Sequence, residues 1–207
     1  MKILFINSSP KDHGSTSSKI AKILIDCIEK KIATTVTIRN LFSPAIDHID
    51  ADFIGSAYRP LDQKTIVDAD VLKISDELIA EIKSVDNVVI GTPFWNFSMP
   101  SVLKAYMDNI ARVGVTFKYT DKGPVGLIEG GKKIAICIAS GGVYSSSDHS
   151  VLEANMKIFE TFFKFIGFTS VDFITLEGVA RGDDALKSGL AKAEQKADEV
   201  AAKWMNG

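Results

Sequence analysis

Cysteine, histidine and charge of one sign are all scarce in this chain. Two cysteines among 207 residues supply neither a disulfide framework nor a cysteine metal cluster. Cys27 falls on the apolar face of a helical stretch and Cys137 inside a buried-strand pattern, so both read as small core residues. His13, His48 and His149 are far apart and each lies in an expected loop, which suits solvated surface groups better than an acid–base constellation. With 24 Lys and Arg against 26 Asp and Glu, the net charge is -2 and both signs are interspersed. That balance lacks the basic footprint of a nucleic-acid binder, and there is no polybasic or acidic tail. No long apolar run occurs either. The opening one, Ile3 to Ile6, is too short for a signal peptide or a membrane span, so a cytoplasmic protein with no membrane partner is expected.

Several catalytic signatures are missing as well. Cys137 is followed six places on by Val143, not by the Arg that a low-molecular-weight phosphatase needs. Gly126-Leu-Ile-Glu-Gly-Gly-Lys132 starts like a Walker loop, but Lys133 occupies the Ser/Thr position and a strand pattern follows where a helix is required. No Gly-x-Gly-x-x-Gly follows the first strand.

What is present is alternation. The 46% apolar content over this length is ample for the core of one domain spanning 1–207. Apolar runs at Ile3 to Ile6, Val85 to Ile90, Ile134 to Ile138 and Val171 to Leu176 are nearly continuous, as in strands buried on both faces; Thr35 to Ile38 alternates like an edge strand. Helical periodicity falls between them, after Ser15 to Ser18 and at about 66–84, 101–112, 150–166 and 184–204. Strict strand–helix alternation predicts an α/β fold, a doubly wound five-stranded parallel sheet with helices on both faces, in the flavodoxin-like order 2-1-3-4-5. The stretch 41–65 is long for a connection: a lid, an interface arm or plain surface irregularity.

In such a sheet the ligand sits beyond the carboxyl ends of the strands, where the loops after strands 1, 3 and 4 converge. The first carries Ser8, Ser9, Ser15, Thr16, Ser17 and Ser18 at the start of a helix, where unpaired N–H groups and the helix dipole favour a phosphate. An ordinary serine cap on a surface loop is the alternative. The second, Gly91 to Pro100, places Phe94, Trp95, Phe97 and Met99 where solvent would call for polar residues, with Asn96 as a lone amide among them. They wall a flat apolar ligand, or else cap the core or a subunit contact. The third, Ala139 to Ser147, includes Gly141-Gly142, which lets backbone approach a ring edge or simply turns the chain. Phosphate donors, an aromatic wall and accessible backbone together describe a flat heteroaromatic ring with one terminal phosphate, and FMN fits best.

These residues carry a family resemblance. Ser8-Ser-Pro10, Ser15-Thr-Ser17, Thr92-Pro-Phe-Trp-Asn-Phe97 followed by Pro100, Leu103-Lys104, Asp108, Gly114-Val-Thr-Phe-Lys-Tyr-Thr120, Gly123-Pro-Val-Gly126, Gly141-Gly142, Phe165-Ile-Gly-Phe168 and Glu177-Gly178 make the sequence similar to the FMN-dependent NADH azoreductases, also described as NADH:quinone oxidoreductases. The resemblance implies that Ser9, Ser15, Thr16 and Ser17 hold the FMN phosphate, that Phe94, Trp95, Asn96 and Phe97 line the ring and bond its edge, and that Ala139, Ser140, Gly141 and Gly142 close the far side. No side chain is assigned a catalytic role, because the flavin carries the hydride chemistry. Two departures stand out: Ala139-Ser140 replaces the family's usual Ser-Arg before the glycines, and Trp95 replaces a Tyr.

The family's homodimers, with flavin sites at the interface, imply that 114–126 forms a short ribbon whose Phe117 and Tyr119 face the substrate; a plain hairpin insert is the alternative. Among Phe159, Phe162, Phe163 and Phe165, core and interface roles are expected, with Phe162 as a candidate pocket floor. The implied activity is a two-step exchange in one slot, in which NADH (or NADPH) delivers hydride to the flavin and a quinone or azo compound then collects it, giving ping-pong kinetics. A flavodoxin-type electron carrier, without its own small-molecule substrate, is the alternative.

Overall fold

The computed structural model describes residues 1–11, 14–145 and 151–206; His13, His149, Ser146 and Ser147 fall outside the described residues. In chain order the strands are β1 (Lys2–Asn7), β2 (Thr35–Asn40), β3 (Asn87–Phe94), β4 (Phe117–Thr120), β5 (Gly123–Gly126), β6 (Lys133–Ser140) and β7 (Ser170–Leu176). The helices are α1 (Thr16–Glu29), α2 (Ala51–Tyr58), α3 (Ile66–Val71), α4 (Lys73–Ser84), α5 (Ser101–Ile110), α6 (Val151–Ile166) and α7 (Asp183–Asn206). Five strands form one sheet in the order β2-β1-β3-β6-β7, with every neighbouring pair parallel. Setting aside the antiparallel β4–β5 hairpin, this is the expected 2-1-3-4-5 order. Of the four strands expected to be buried on both faces, the central β1, β3 and β6 are so buried, whereas β7 lies at the sheet edge and is mostly half-buried.

Successive strand residues point to opposite faces, and the core divides accordingly. Leu4 and Ile6 pack in one cluster with Leu78 and Ile82 of α4, Leu103 and Tyr106 of α5, and Phe159 and Phe163 of α6. Ile3 and Phe5 pack in another with Ile20, Leu24 and Cys27 of α1 and Ala197, Val200 and Trp204 of α7. Cys27 and Cys137 are both buried in this second cluster, as expected. Burial pushes the Cys137 thiol well above its ordinary range, which leaves it protonated and inert. Among the described residues no helix is long and apolar enough to cross a membrane, and no His, Cys, Asp and Glu group could hold a metal ion.

Three expectations are corrected. The helix expected over 66–84 is two helices, broken at Leu72 (φ -90°, ψ 0°), because Leu72 packs with Phe53 and Ala57 in a small separate cluster while Leu78 and Ile82 face the main core. The stretch 41–65 is not plain irregularity. It contains α2, whose start is capped by Asp50 accepting from the Phe53 N–H at 2.8 Å. Finally, β3 and β6 run further than the apolar pattern suggests, pairing Thr92 with Ile138, Pro93 with Ala139 and Phe94 with Ser140. Pro93 is tolerated there because the pairing with β1 has already ended at Gly91, leaving β3 paired on one side only.

Candidate functional site

At the carboxyl end of β1 the chain leaves the sheet through a network of buried polar side chains. The Asn7 carboxamide accepts from the Ser9 N–H at 3.1 Å, two residues on, and donates to the Ser9 carbonyl at 3.1 Å, an Asx-type turn that starts the loop. The same Asn7 oxygen accepts from the Ser18 hydroxyl at 3.1 Å, which ties the loop to α1. Ser8 anchors the loop to β3: its N–H and its hydroxyl both donate to the Gly91 carbonyl, at 3.0 and 3.1 Å. A Cβ at Gly91 would sit 3.2 Å from both the Phe5 ring and the Ser17 carbonyl, a tight contact whose absence lets the first turn of α1 lie close on the sheet.

Ser15 caps α1, accepting from the Ser18 N–H at 3.1 Å; its hydroxyl also lies 2.7 Å from that of Ser18 and 3.2 Å from that of Ser17. A helix start leaves its first N–H groups without intrahelical partners and carries partial positive charge. Here three hydroxyls ring it, each able to donate or accept. The arrangement suits an oxyanion with several acceptor oxygens.

Ser9, Ser15, Thr16 and Ser17 line a groove of about 270 Å³ together with Lys11, Pro93, Trp95, Ala139, Ser140 and Gly141, and its remaining wall includes Val179 and Ala180. Eight of the twelve residues expected to contact the cofactor therefore meet at one groove. Its volume lies just under the roughly 300–1,000 Å³ typical of small-molecule pockets. Phe94 does not line it. Its ring is only 7% exposed and packs in the core, edge-on to Tyr144 at 5.1 Å, because β3 extends through it. Trp95 is 44% exposed. Asn96 and Phe97 lie beside the groove in a tight turn, with reciprocal bonds of 2.9 Å between the backbones of Trp95 and Ser98. Both central residues have positive φ, 49° at Asn96 and 65° at Phe97, the geometry of a type I′ turn. Phe97 is 61% exposed.

The third loop is fastened from β7. The Glu177 carboxylate accepts from the Tyr144 N–H and, at 3.0 Å, from the Ser145 N–H; Gly178 N–H donates to the Gly142 carbonyl at 2.9 Å and Ala180 N–H to the Gly141 carbonyl at 3.2 Å. The Ser140 hydroxyl donates to the Gly142 carbonyl at 2.9 Å, so the serine in place of the family's Arg is turned onto its own loop.

The expected substrate-facing residues are separated from this groove. Phe117 and Tyr119 do stand on a two-stranded ribbon, with ring centroids 5.6 Å apart, but Phe117 is only 4% exposed and packs against Phe165 at 4.5 Å. An inward position on β4 buries it within this chain. Tyr119, 68% exposed, does face outward. The hairpin leans on the end of α6 so closely that a Cβ on Gly126 would come within 2.3 Å of the Gly167 N. Phe162 is half-buried and lines an apolar depression on α6 with Ala154, Ile158 and Phe165. Within this chain, none of these three residues lines the groove. His48 is exposed at the edge of a cavity between the 41–50 loop and α4.

Sequence reasoning missed four elements of the site. Asn7 had a local signal, an amide ending an apolar strand just before a hydroxyl loop. Lys11 is the only cation among the described lining residues. Val179 and Ala180 arrive from a 3₁₀ turn with no periodic signature. Tyr144, whose ring meets both Phe94 and Phe97, at 5.1 and 5.9 Å, was visible only as one more residue of the third loop.

The family model described as Flavodoxin-like fold matches residues 1–201. A protein of Herminiimonas arsenicoxydans named FMN-dependent NADH:quinone oxidoreductase is 41% identical over 200 residues, 96% of this chain and 98% of that one. The crystal structure of azoreductase from Bacillus anthracis str. Sterne superposes with a TM-score of 0.84 at 29% identity, covering 98% of this chain and 99% of that one. An FMN-dependent NADH-azoreductase from Bacillus anthracis str. Ames Ancestor, crystallised in complex with FMN, superposes at 0.83 with 30% identity over 99% of both chains. On the strength of that family match and a near full-length relative, this chain belongs to the flavodoxin-like family that contains the FMN-dependent NADH:quinone oxidoreductases.

Proposed function

We propose that this chain is an FMN-dependent oxidoreductase that uses NADH to reduce quinones and azo compounds. The observation that carries the proposal is the groove, where a hydroxyl-ringed helix start meets Trp95 and the Ala139–Gly141 backbone. Its donor set fits a phosphate monoester, and its apolar side fits a flat ring. When bound, FMN supplies the hydride acceptor and donor, and a quinone or azo compound collects the two electrons. Ser9, Ser15, Thr16, Ser17 and the first N–H groups of α1 hold the phosphate, with Lys11 adding positive charge at the rim. Trp95, Asn96 and Phe97 bound the ring on one side, and Ala139, Ser140, Gly141 and Gly142 on the other. These residues orient and shield; none of them is asked to move a proton, and among the described lining residues Lys11 is the only titratable side chain.

The chain works as one FMN-binding domain over 1–207, its sheet covered by helices on both faces, a reading supported by the two core clusters that divide alternate strand residues between them. It pairs as a homodimer with flavin sites at the interface. The exposed apolar side chains of Ile158 on α6 and of Tyr119 and Val125 on the hairpin support this, and pairing would bring Tyr119 and Phe162 of one copy toward the site of the other. Sedimentation at micromolar concentration should give twice the chain mass. Reliance on NADH fits a cytoplasmic location; NADPH serves in the same slot if its extra phosphate is left in solvent.

The test is direct. Purified protein should show oxidised-flavin absorption, release FMN on denaturation, and oxidise NADH rapidly when a quinone is present. Initial rates with both substrates varied should give parallel double-reciprocal lines, because one slot serves both in turn; intersecting lines would exclude that order. A holoprotein that carries FMN but ignores NADH would instead be an electron carrier, the alternative expected from the fold.

A further inference from the structure

The turn Trp95–Ser98 holds a bulky residue, Phe97, at φ 65°, a conformation that persists only where the surroundings enforce it. Asn tolerates the left-handed region, so Asn96 needs no such help. The support comes from α6, 58 residues further along the chain. Asn155, 5% exposed, donates from Nδ2 to the Phe97 carbonyl at 2.9 Å, and its Oδ1 accepts from the Ser98 hydroxyl at 3.3 Å. The second Nδ2 hydrogen goes to the Val151 carbonyl at 3.1 Å, so the orientation of the carboxamide is fixed by its partners at both ends. An asparagine that merely filled a helix position would need only that last bond. The other two reach across to the turn.

We propose that Asn155 is a positioning residue for the flavin: it clamps the Trp95–Ser98 turn and thereby sets where Asn96 and Phe97 stand beside the ring. The proposal rests on the FMN reading of the groove. It makes α6, which also carries the exposed apolar strip of Ile158 and Phe162, the element that fixes the aromatic side of the site.

A double-substitution cycle separates clamping from general support. Asn155→Asp is nearly isosteric but sets a carboxylate oxygen against the Phe97 carbonyl. Phe97→Gly creates Asn-Gly at the two central positions, the pair that adopts this turn unaided. Apoprotein of each variant is titrated with FMN by fluorescence quenching, and the visible band of the bound flavin is recorded with the thermal midpoint of the apoprotein. Asn155→Asp alone should weaken FMN binding about tenfold and shift the band, whereas in the Phe97→Gly background it should change affinity by less than about twofold. If Asn155→Asp does not fold, Asn155→Ser carries the same comparison. Unchanged affinity and spectrum, or a loss of equal size in both backgrounds, overturns the proposal. A parent protein that takes up no FMN would remove the reading of the groove and this proposal with it; a flavin-binding parent with unresponsive Asn155 variants removes the proposal alone.

Discussion

The hydroxyl cradle of Asn7, Ser9, Ser15 and Ser18 and the Trp95–Ser98 turn meet at the same groove, yet they are built in opposite ways. The cradle supports itself: Asn7, Ser9, Ser15 and Ser18 bond one another within a dozen residues, and nearly all of their polar side chains are buried. The turn exposes Trp95 and Phe97, strains its backbone, and depends on a side chain from a distant helix. On the proposed reading, a phosphate end needs rigidly held donors, whereas a side open to a flat substrate needs exposed aromatic surface. The first can be written locally in sequence; the second is assembled by the fold.

The largest effect is expected where the cradle's own support is removed. Asn7→Ala removes the acceptor of the Ser9 N–H and one of the partners of the Ser18 hydroxyl, which keeps its contact with Ser15, and should lower the stability of the apoprotein by about 2–3 kcal/mol in denaturant unfolding, with FMN retention weakened alongside. Removing donors but not support should be milder. Ser9→Ala combined with Ser17→Ala should weaken FMN by about 1–3 kcal/mol while leaving riboflavin binding nearly unchanged, as read by titration of apoprotein with each. An equal loss for both ligands would mean that the hydroxyls shape the groove but do not hold phosphate.

A site remote from both regions supplies the contrast between stability and affinity. Burial alone would raise the Asp172 carboxyl on β7, but hydrogen bonds from the Lys203 ammonium at 2.5 Å, the Trp204 Nε1–H at 3.0 Å and the Ser170 hydroxyl outweigh it and hold the group below its ordinary range. A carboxyl depressed in the folded state contributes stability above its unfolded value of about 4, and that contribution is lost as pH falls through the lower folded value. Asp172→Asn should therefore cost about 1–2 kcal/mol at neutral pH, flatten the acid limb of the stability profile, and leave FMN affinity untouched. The smallest effect belongs to Lys11, exposed at the rim. Lys11→Gln should weaken FMN by under about 1 kcal/mol at low salt, and the difference should fade as ionic strength rises.

The same contrast explains what the sequence disclosed. Strand order, the start of α1 after Ser15 and the hydroxyl cradle were legible because each rests on a short pattern: an apolar run, a serine cap, a cluster of donors. Cys27 and Cys137 were legible as core for the same reason. The extension of β3 through Phe94 was not, because Gly91-Thr-Pro interrupts the apolar pattern and only pairing with β6 reveals it as strand. That extension is what buries Phe94. The burial of Phe117 was not legible either, since nothing in an alternating ribbon says which face a neighbouring helix will cover. The helix α2 was hidden by Gly55 and by its short length, although Asp50 marks its start. The clamp by Asn155 had no local signal, because its partners lie far away in sequence.

The central claim is that the start of α1 grips the phosphate of FMN. Titrating apoprotein with FMN and with riboflavin under the same conditions tests it most directly. The account predicts that FMN binds at least a hundredfold more tightly, roughly the contribution of two or more charge-assisted hydrogen bonds. Equal affinity for the two, or uptake of neither, would contradict it.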